Sequence, residues 1–342
     1  MENKYFEKAE KLRRAAEYSK AIDSYNKALE IYKKDSNVYG MLDCYLSLGD
    51  TFRAKGHFTD AKAHYQEGLN LADALEDRYA EADALVGLGL SVRALGYWSD
   101  AMNMINRAAR IYKSLKDRKG EAFAVWAKAG TYRIKGDVKQ AVKTFQKSLD
   151  MFRNLKDRSG MAYSYCGMGG SSRVSEQYKD SEKYYKMANR MFTKLNDRFG
   201  MAYSYCGLGN ARRMNDDFKN ALANFRKAEV LYKKIGDRVS YAYTIWSVGT
   251  THKMMGNMEK AVENFNESNQ FFKQTKDPRG MIYCILGTGE VDCLNGKRQK
   301  AKTALTKGLN QAESYGFKLE KGYAQKLLRA FEQNKGLPVN FP

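Results

Sequence analysis

One small residue returns every forty positions along this chain: Ala21, Ala61, Ala101, Ala141, Ser181, Ala221, Ala261 and Ala301. A second column runs Gly49, Gly89, Ala129, Gly169, Gly209, Gly249 and Gly289. A fixed period of this length describes a stack of similar units, each burying its apolar face against its neighbours, and it excludes one globular core. The functional surface of such a stack is extended rather than a buried catalytic pocket.

Other columns say what each unit contains. Four residues after the small residue stands a large apolar one (Tyr25, Tyr65, Ile105, Phe145, Tyr185, Phe225, Phe265, Leu305), and three further on another small one (Ala28, Gly68, Ala108, Ser148, Ala188, Ala228, Ser268, Gly308). Steps of four and three place these on one helical face; this is helix B of the unit. Helix A carries the Gly49 column, with Tyr45, Leu85, Val125, Tyr165, Tyr205, Ile245 and Ile285 four positions earlier. Glycine inside a helix costs stability, so its recurrence implies a close crossing there. Short turns such as Gly56-His57-Phe58 and Gly136-Asp137-Val138 separate A from B, glycine past a helix end being the usual left-handed cap. Units are joined by Lys-Asp-Arg segments or near copies of them, whose aspartates, Asp117, Asp157, Asp197 and Asp237, are placed to cap the next helix A.

This pattern resembles the tetratricopeptide repeat: a large residue, then Leu-Gly in helix A, followed by Ala, Phe or Tyr, and Ala in helix B. The unit of about forty residues is longer than the usual thirty-four or so, and looks like the repeats of LGN, kinesin light chain and Rap-type regulators. Gly200 through Asn210 (GMAYSYCGLGN) is the best local match. The resemblance implies an all-α solenoid of about eight antiparallel hairpins in a right-handed superhelix, helix A on the concave side. Units begin near residues 2, 42, 82, 122, 162, 202, 242 and 282, a final amphipathic helix at 322–334 caps the stack, and residues 1–334 form one solenoid. Residues 335–342 are expected to form a flexible tail.

Composition narrows the function. The sequence has 59 Lys+Arg against 39 Asp+Glu, a net charge of +20. No apolar run is long enough to cross a membrane, and the charged start is no signal peptide, so a cytoplasmic location is expected. The five cysteines include no C-x-x-C pair and read as reduced helix residues. Neither the histidines nor the glycines fall into a metal or phosphate motif, no nucleophile stands out, and neither enzymatic activity nor a cofactor is expected.

The inward positions of helix A, carried over from the resemblance, suggest a binding groove. The second position of each unit supplies Tyr163, Tyr203, Tyr243 and Tyr283; the fifth, Trp126, Cys166, Cys206 and Trp246; the ninth, Asn210. The twelfth reads Arg13, Arg53, Arg93, Arg133, Arg173, Arg213 and Lys253. An arginine ladder beside tyrosines suits an extended acidic or polar peptide, because guanidinium forks match carboxylates and carbonyls and tyrosine offers rigid contact area. Gly130 and Gly170, at the ninth position, would let a ligand backbone approach. The bland alternative is that the arginines pair with nearby acids and the tyrosines pack between units. The expected function is a non-enzymatic interaction scaffold with a protein or peptide partner. Single-stranded RNA on the same positive field, aided by an outer stripe of Lys139, Lys143 and Lys147, is one alternative, and self-assembly is another.

Overall fold

The computed structural model describes residues 3–341, so the start of the first unit near residue 2, like Pro342, lies outside the described residues. Helix A of successive units is α1 (Lys4–Arg14), α3 (Val38–Ala54), α5 (Arg78–Ala94), α7 (Arg118–Lys135), α9 (Arg158–Val174), α11 (Arg198–Met214), α13 (Arg238–Met254) and α15 (Pro278–Leu294). Helix B is α2 (Tyr18–Lys34), α4 (Phe58–Ala74), α6 (Trp98–Ser114), α8 (Val138–Asn154), α10 (Tyr178–Leu195), α12 (Phe218–Ile235), α14 (Met258–Thr275) and α16 (Arg298–Ser314); α17 (Lys318–Gln333) closes the stack. The described residues contain no strand. The fold is an all-α solenoid of helix hairpins.

Local chemistry sets the helix starts. The side chains of Asp77, Asp157, Asp197, Asp237 and Asp277 each accept the backbone N–H three residues on, at 2.9–3.0 Å. Such a cap contributes about 0.5–2 kcal/mol over alanine. The eight residues of the Ala21 column are all fully buried, as a helix crossing demands.

The glycine columns have a more specific cause than close helices. Three helix-B rings at the Tyr25-column position are each held between two glycines. A Cβ on Gly169 would lie 2.9 Å from the Tyr185 ring, and one on Gly207, in the next helix A, 2.1 Å from it. Tyr65 sits in the same way between Gly49 and Gly87, and Phe265 between Gly249 and Gly287. The ring thus bolts its own unit to the next. Burying a ring this completely contributes about 1.5–3 kcal/mol, which offsets the helix propensity the glycines give up.

Successive turns of the superhelix also touch. Arg198 Nη1 donates to the carbonyl of Ala15 across 183 residues of sequence. At nearly the same offset Gly56 meets Val239, Gly96 meets Pro278 and Gly136 meets Lys318. An apolar cluster of Ala16, Tyr18 and Ile235, joined by Ala54 and Phe199, seals the first of these seams. The inner face is therefore enclosed along much of its length, rather than an open trough.

The expectation of a flexible tail is corrected by its described part. Residues 335–341 turn back into the inner face, where Val339 and Phe341 are buried. Phe341 stacks near Tyr323, with ring centres 4.6 Å apart. The physical reason lies in the groove: buried cations there need acceptors, and the segment supplies them.

Candidate functional site

The twelfth-position cations form a continuous inner ladder, but they are satisfied in three different ways. At the amino-terminal end they pair at home. Arg13 donates to Glu10 at 2.8 Å and to the Tyr25 hydroxyl at 3.1 Å; Arg53 donates to Asp50 at 3.1 Å and to Tyr65 at 3.2 Å. Each acid stands one helical turn before its arginine.

In the middle there is no such acid. Among the described residues, no carboxylate lies within 4.0 Å of Arg93, Arg133 or Arg173. Arg93 reaches across to the next unit and donates to the carbonyl of Ala127 at 3.0 Å. It lies over Gly130, where an added Cβ would meet its Nη1 at 2.4 Å; Arg133 lies over Gly170 in the same way, at 2.3 Å. The glycines expected to admit a ligand backbone instead admit the arginine of the preceding unit. Burial, and then the neighbouring Arg133, pull the Arg93 guanidinium down to about 9, so it remains charged at neutral pH. The Nε of Arg173 is buried with no hydrogen-bond partner.

At the far end the ladder is covered. Arg213 donates to Asn210 at 3.2 Å and to the carbonyl of Phe341 at 2.8 Å, and it also bonds the Asn340 side chain. The amide of Asn340 donates back to the Arg213 carbonyl at 2.9 Å. Lys253 pairs with Glu290 and donates to the carbonyl of Val339 at 2.8 Å.

The enclosed inner face holds a cavity of about 760 Å³, bounded by Arg13, Arg53, Arg93, Arg133, Trp126, Tyr163 and Tyr203. That volume falls within the range of about 300–1,000 Å³ typical of ligand sites. Four carboxylates also line it: Asp50 and the helix caps Asp157, Asp197 and Asp237. Only Asp50 stands in one of the columns read as inward-facing. The caps were legible as caps but not as lining, since only the superhelical winding turns helix starts toward the interior. Burial pushes Asp237 up to about 6.

The aromatic candidates divide. Tyr163 donates to Asp197 at 2.9 Å and Tyr243 to Asp277 at 3.2 Å, so these two tie a unit to the cap of the next. Tyr203 instead meets Arg133. Trp126 donates to the Tyr163 carbonyl at 3.3 Å. Tyr283 donates to Glu320 at 2.7 Å and faces Trp246, with ring centres 4.8 Å apart. The structure thus gathers Arg93, Arg133, Trp126, Tyr163 and Tyr203 at the cavity, and Arg213, Lys253 and Asn210 beneath the tail, while Tyr243, Tyr283 and Trp246 pack between units. Lys139, Lys143 and Lys147 are exposed on helix B, on the opposite face. Among the described residues no group of three or more His, Cys, Asp or Glu is placed to hold a metal ion. No helix among them is long and apolar enough to cross a membrane.

The family model of the tetratricopeptide repeat matches residues 3–74. A crystal structure of a Rap protein complexed with competence and sporulation factor is similar over 96% of this chain and 97% of its own, with a TM-score of 0.62 at 13% identity. The Rap conjugation gene regulator of the plasmid pLS20, in complex with the Phr* peptide, is similar over 90% of this chain and 80% of its own, with a TM-score of 0.67 at 12% identity. The apo form of RapI gives 0.56 at 15% identity, over 83% of this chain and 97% of its own. No curated protein matches the sequence. The chain is an all-α solenoid that shares the fold of Rap proteins along most of its length, and the tetratricopeptide-repeat model matches its residues 3–74.

Proposed function

We propose that this protein is a non-enzymatic interaction scaffold that holds an extended, acidic or polar peptide segment on its inner face. The observation that carries this reading is the middle of the ladder. Arg93 and Arg133 border a cavity of about 760 Å³ without a carboxylate partner, and Arg173 follows with an unpartnered buried Nε. Buried guanidinium groups held mainly by neutral acceptors gain charge-assisted hydrogen bonds when a carboxylate arrives. Tyr203 and Trp126 supply apolar walls for the segment between its acids. The aspartate caps in the same cavity select against long runs of acid and favour one or two carboxylates spaced to meet the arginines. Two of the structures sharing the fold are complexes, one with competence and sporulation factor and one with the Phr* peptide, which supports reading the inner face as a peptide site.

The test is an array of fluorescent seven-residue peptides carrying no, one or two aspartates. Peptides with one or two acids are expected to bind best. Arg133→Gln with Arg173→Gln should weaken them more than tenfold, while Lys139→Glu, Lys143→Glu and Lys147→Glu together change affinity less than threefold. Binding that ignores the two arginines and follows the lysines would overturn the reading. Tight binding of a labelled single-stranded RNA, dependent on those lysines, would replace it with the nucleic-acid alternative.

A further inference from the structure

Residues 337–341 do more than pack against the last units. Their contacts with the ladder run through the backbone. Arg213 and Lys253 take the carbonyls of Phe341 and Val339, each at 2.8 Å. The Val339 N–H donates to Glu290, which is itself paired with Lys253. Donor and acceptor of one extended residue are thus both read, by an acid and a base from neighbouring units. Side chains are read as well: Asn340 exchanges hydrogen bonds with Arg213 in both directions, Phe341 lies against Tyr323, and Val339 is buried in the apolar cluster of the last units. This is how a groove recognises a peptide, with the backbone giving affinity and spaced side chains giving selectivity.

The electrostatics leave this occupant replaceable. The acceptors it offers Arg213 are all neutral, and burial followed by the neighbouring Arg173 draws that guanidinium down to about 9. A fully buried guanidinium with neutral partners gains less from being covered than one facing a carboxylate.

We propose that residues 337–341 are a resident, displaceable ligand of the inner face, so that an outside segment of the same chemistry reaches Arg213, Lys253 and Glu290 only by displacing them. The ligand class is an extended segment presenting a backbone carbonyl to Lys253 and a backbone N–H to Glu290, followed by Asn and an aromatic residue. The proposal rests on reading the inner face as a peptide site, but it does not rest on the preference for acids.

The probe is therefore an amidated, fluorescein-labelled peptide with the sequence of residues 336–341, which has no carboxylate. It is titrated by anisotropy against the full-length protein and against the full-length protein bearing Asn340→Ala and Phe341→Ala. Circular dichroism checks that both are folded. The variant is expected to bind the probe roughly ten- to a hundredfold more tightly, the range for a resident segment docked about 90–99% of the time. Adding Arg213→Met to the variant should erase the gain. In the unsubstituted protein, saturating probe should strip hydrogen-exchange protection from the Val339 amide. Equal affinity for the two proteins, no binding to the folded variant, a gain that survives Arg213→Met, or an intact Val339 amide under saturation would each overturn the proposal. Loss of acidic-peptide binding on the array, with this result intact, would remove only the acid preference of the central arginines.

Discussion

Arg53 and Arg213 occupy the same position of the same repeat, yet they live in different chemical company. Arg53 has Asp50 one turn behind it and the Tyr65 hydroxyl beside it, so its charge is settled within its own unit. Arg213 has Asn210 in place of that acid and is settled by a segment more than a hundred residues away. The ninth position of the unit decides between the two. Where it is Glu10 or Asp50 the arginine folds back; where it is Leu90, Gly130, Gly170 or Asn210 the charge is left for something else. Where the next unit has glycine there, the arginine swings forward over it, as Arg93 and Arg133 do. A repeat can thus keep its fold-defining columns while one neighbouring residue moves a cation's partner from its own unit to a distant one.

The sharpest way to break this comparison is at Lys253, whose pair with Glu290 is buried on both sides. Lys253→Met should cost about 3–5 kcal/mol, because it leaves a buried carboxylate uncompensated. Adding Glu290→Gln should recover most of that loss, read as the shift in a urea-unfolding midpoint. Removing Arg13 from the more exposed Glu10 should cost no more than about 1 kcal/mol.

The pH dependences of the two regions should have opposite sign. Burial raises the Glu10 carboxyl, but the hydrogen bonds from Arg13 and Tyr25 outweigh it and hold it below its ordinary value. Its contribution is present above the unfolded value near 4.3 and fades as pH falls through the depressed folded value. Asp237 is raised to about 6 by burial. Its stabilising form is the protonated one, so stability is full below about 3.9 and is lost as pH climbs to about 6. Asp237→Asn, which keeps a capping side chain, should therefore add about 3 kcal/mol at pH 7 and almost nothing at pH 4. A gain of equal size at both pH values would show that ionisation is not its cause.

The smallest effects test the central contrast directly. Arg53→Met leaves Asp50 and Tyr65 without their cation and, Asp50 being partly exposed, should cost no more than about 1 kcal/mol while leaving the Val339–Phe341 amides protected. Arg213→Met removes a cation held by neutral groups and should change stability by less than about 1 kcal/mol, while Val339–Phe341 lose protection in hydrogen exchange. The reverse pattern would mean that the two ends of the ladder do the same job.

Much of the solenoid was written in its repeating columns, because helix periodicity, caps and small residues at crossings act within one or two units. Ala141 and Ala221 could be assigned to the interior, and Asp157 and Asp197 to helix starts, from spacing alone. The expectation that Arg93, Arg133 and Arg213 point inward came from the resemblance, which supplies the inward positions of helix A. What each arginine touches did not, since Gly130 reads equally as room for a ligand and as room for Arg93. Only winding the stack turns the caps Asp197 and Asp237 into cavity lining, brings Ala15 against Arg198, and folds Val339 and Phe341 onto Lys253 and Arg213. The physical reason is range. Helix chemistry is settled over three or four residues and repeat packing over forty, whereas the path of the superhelix sums small rotations over every unit and decides which distant charges meet.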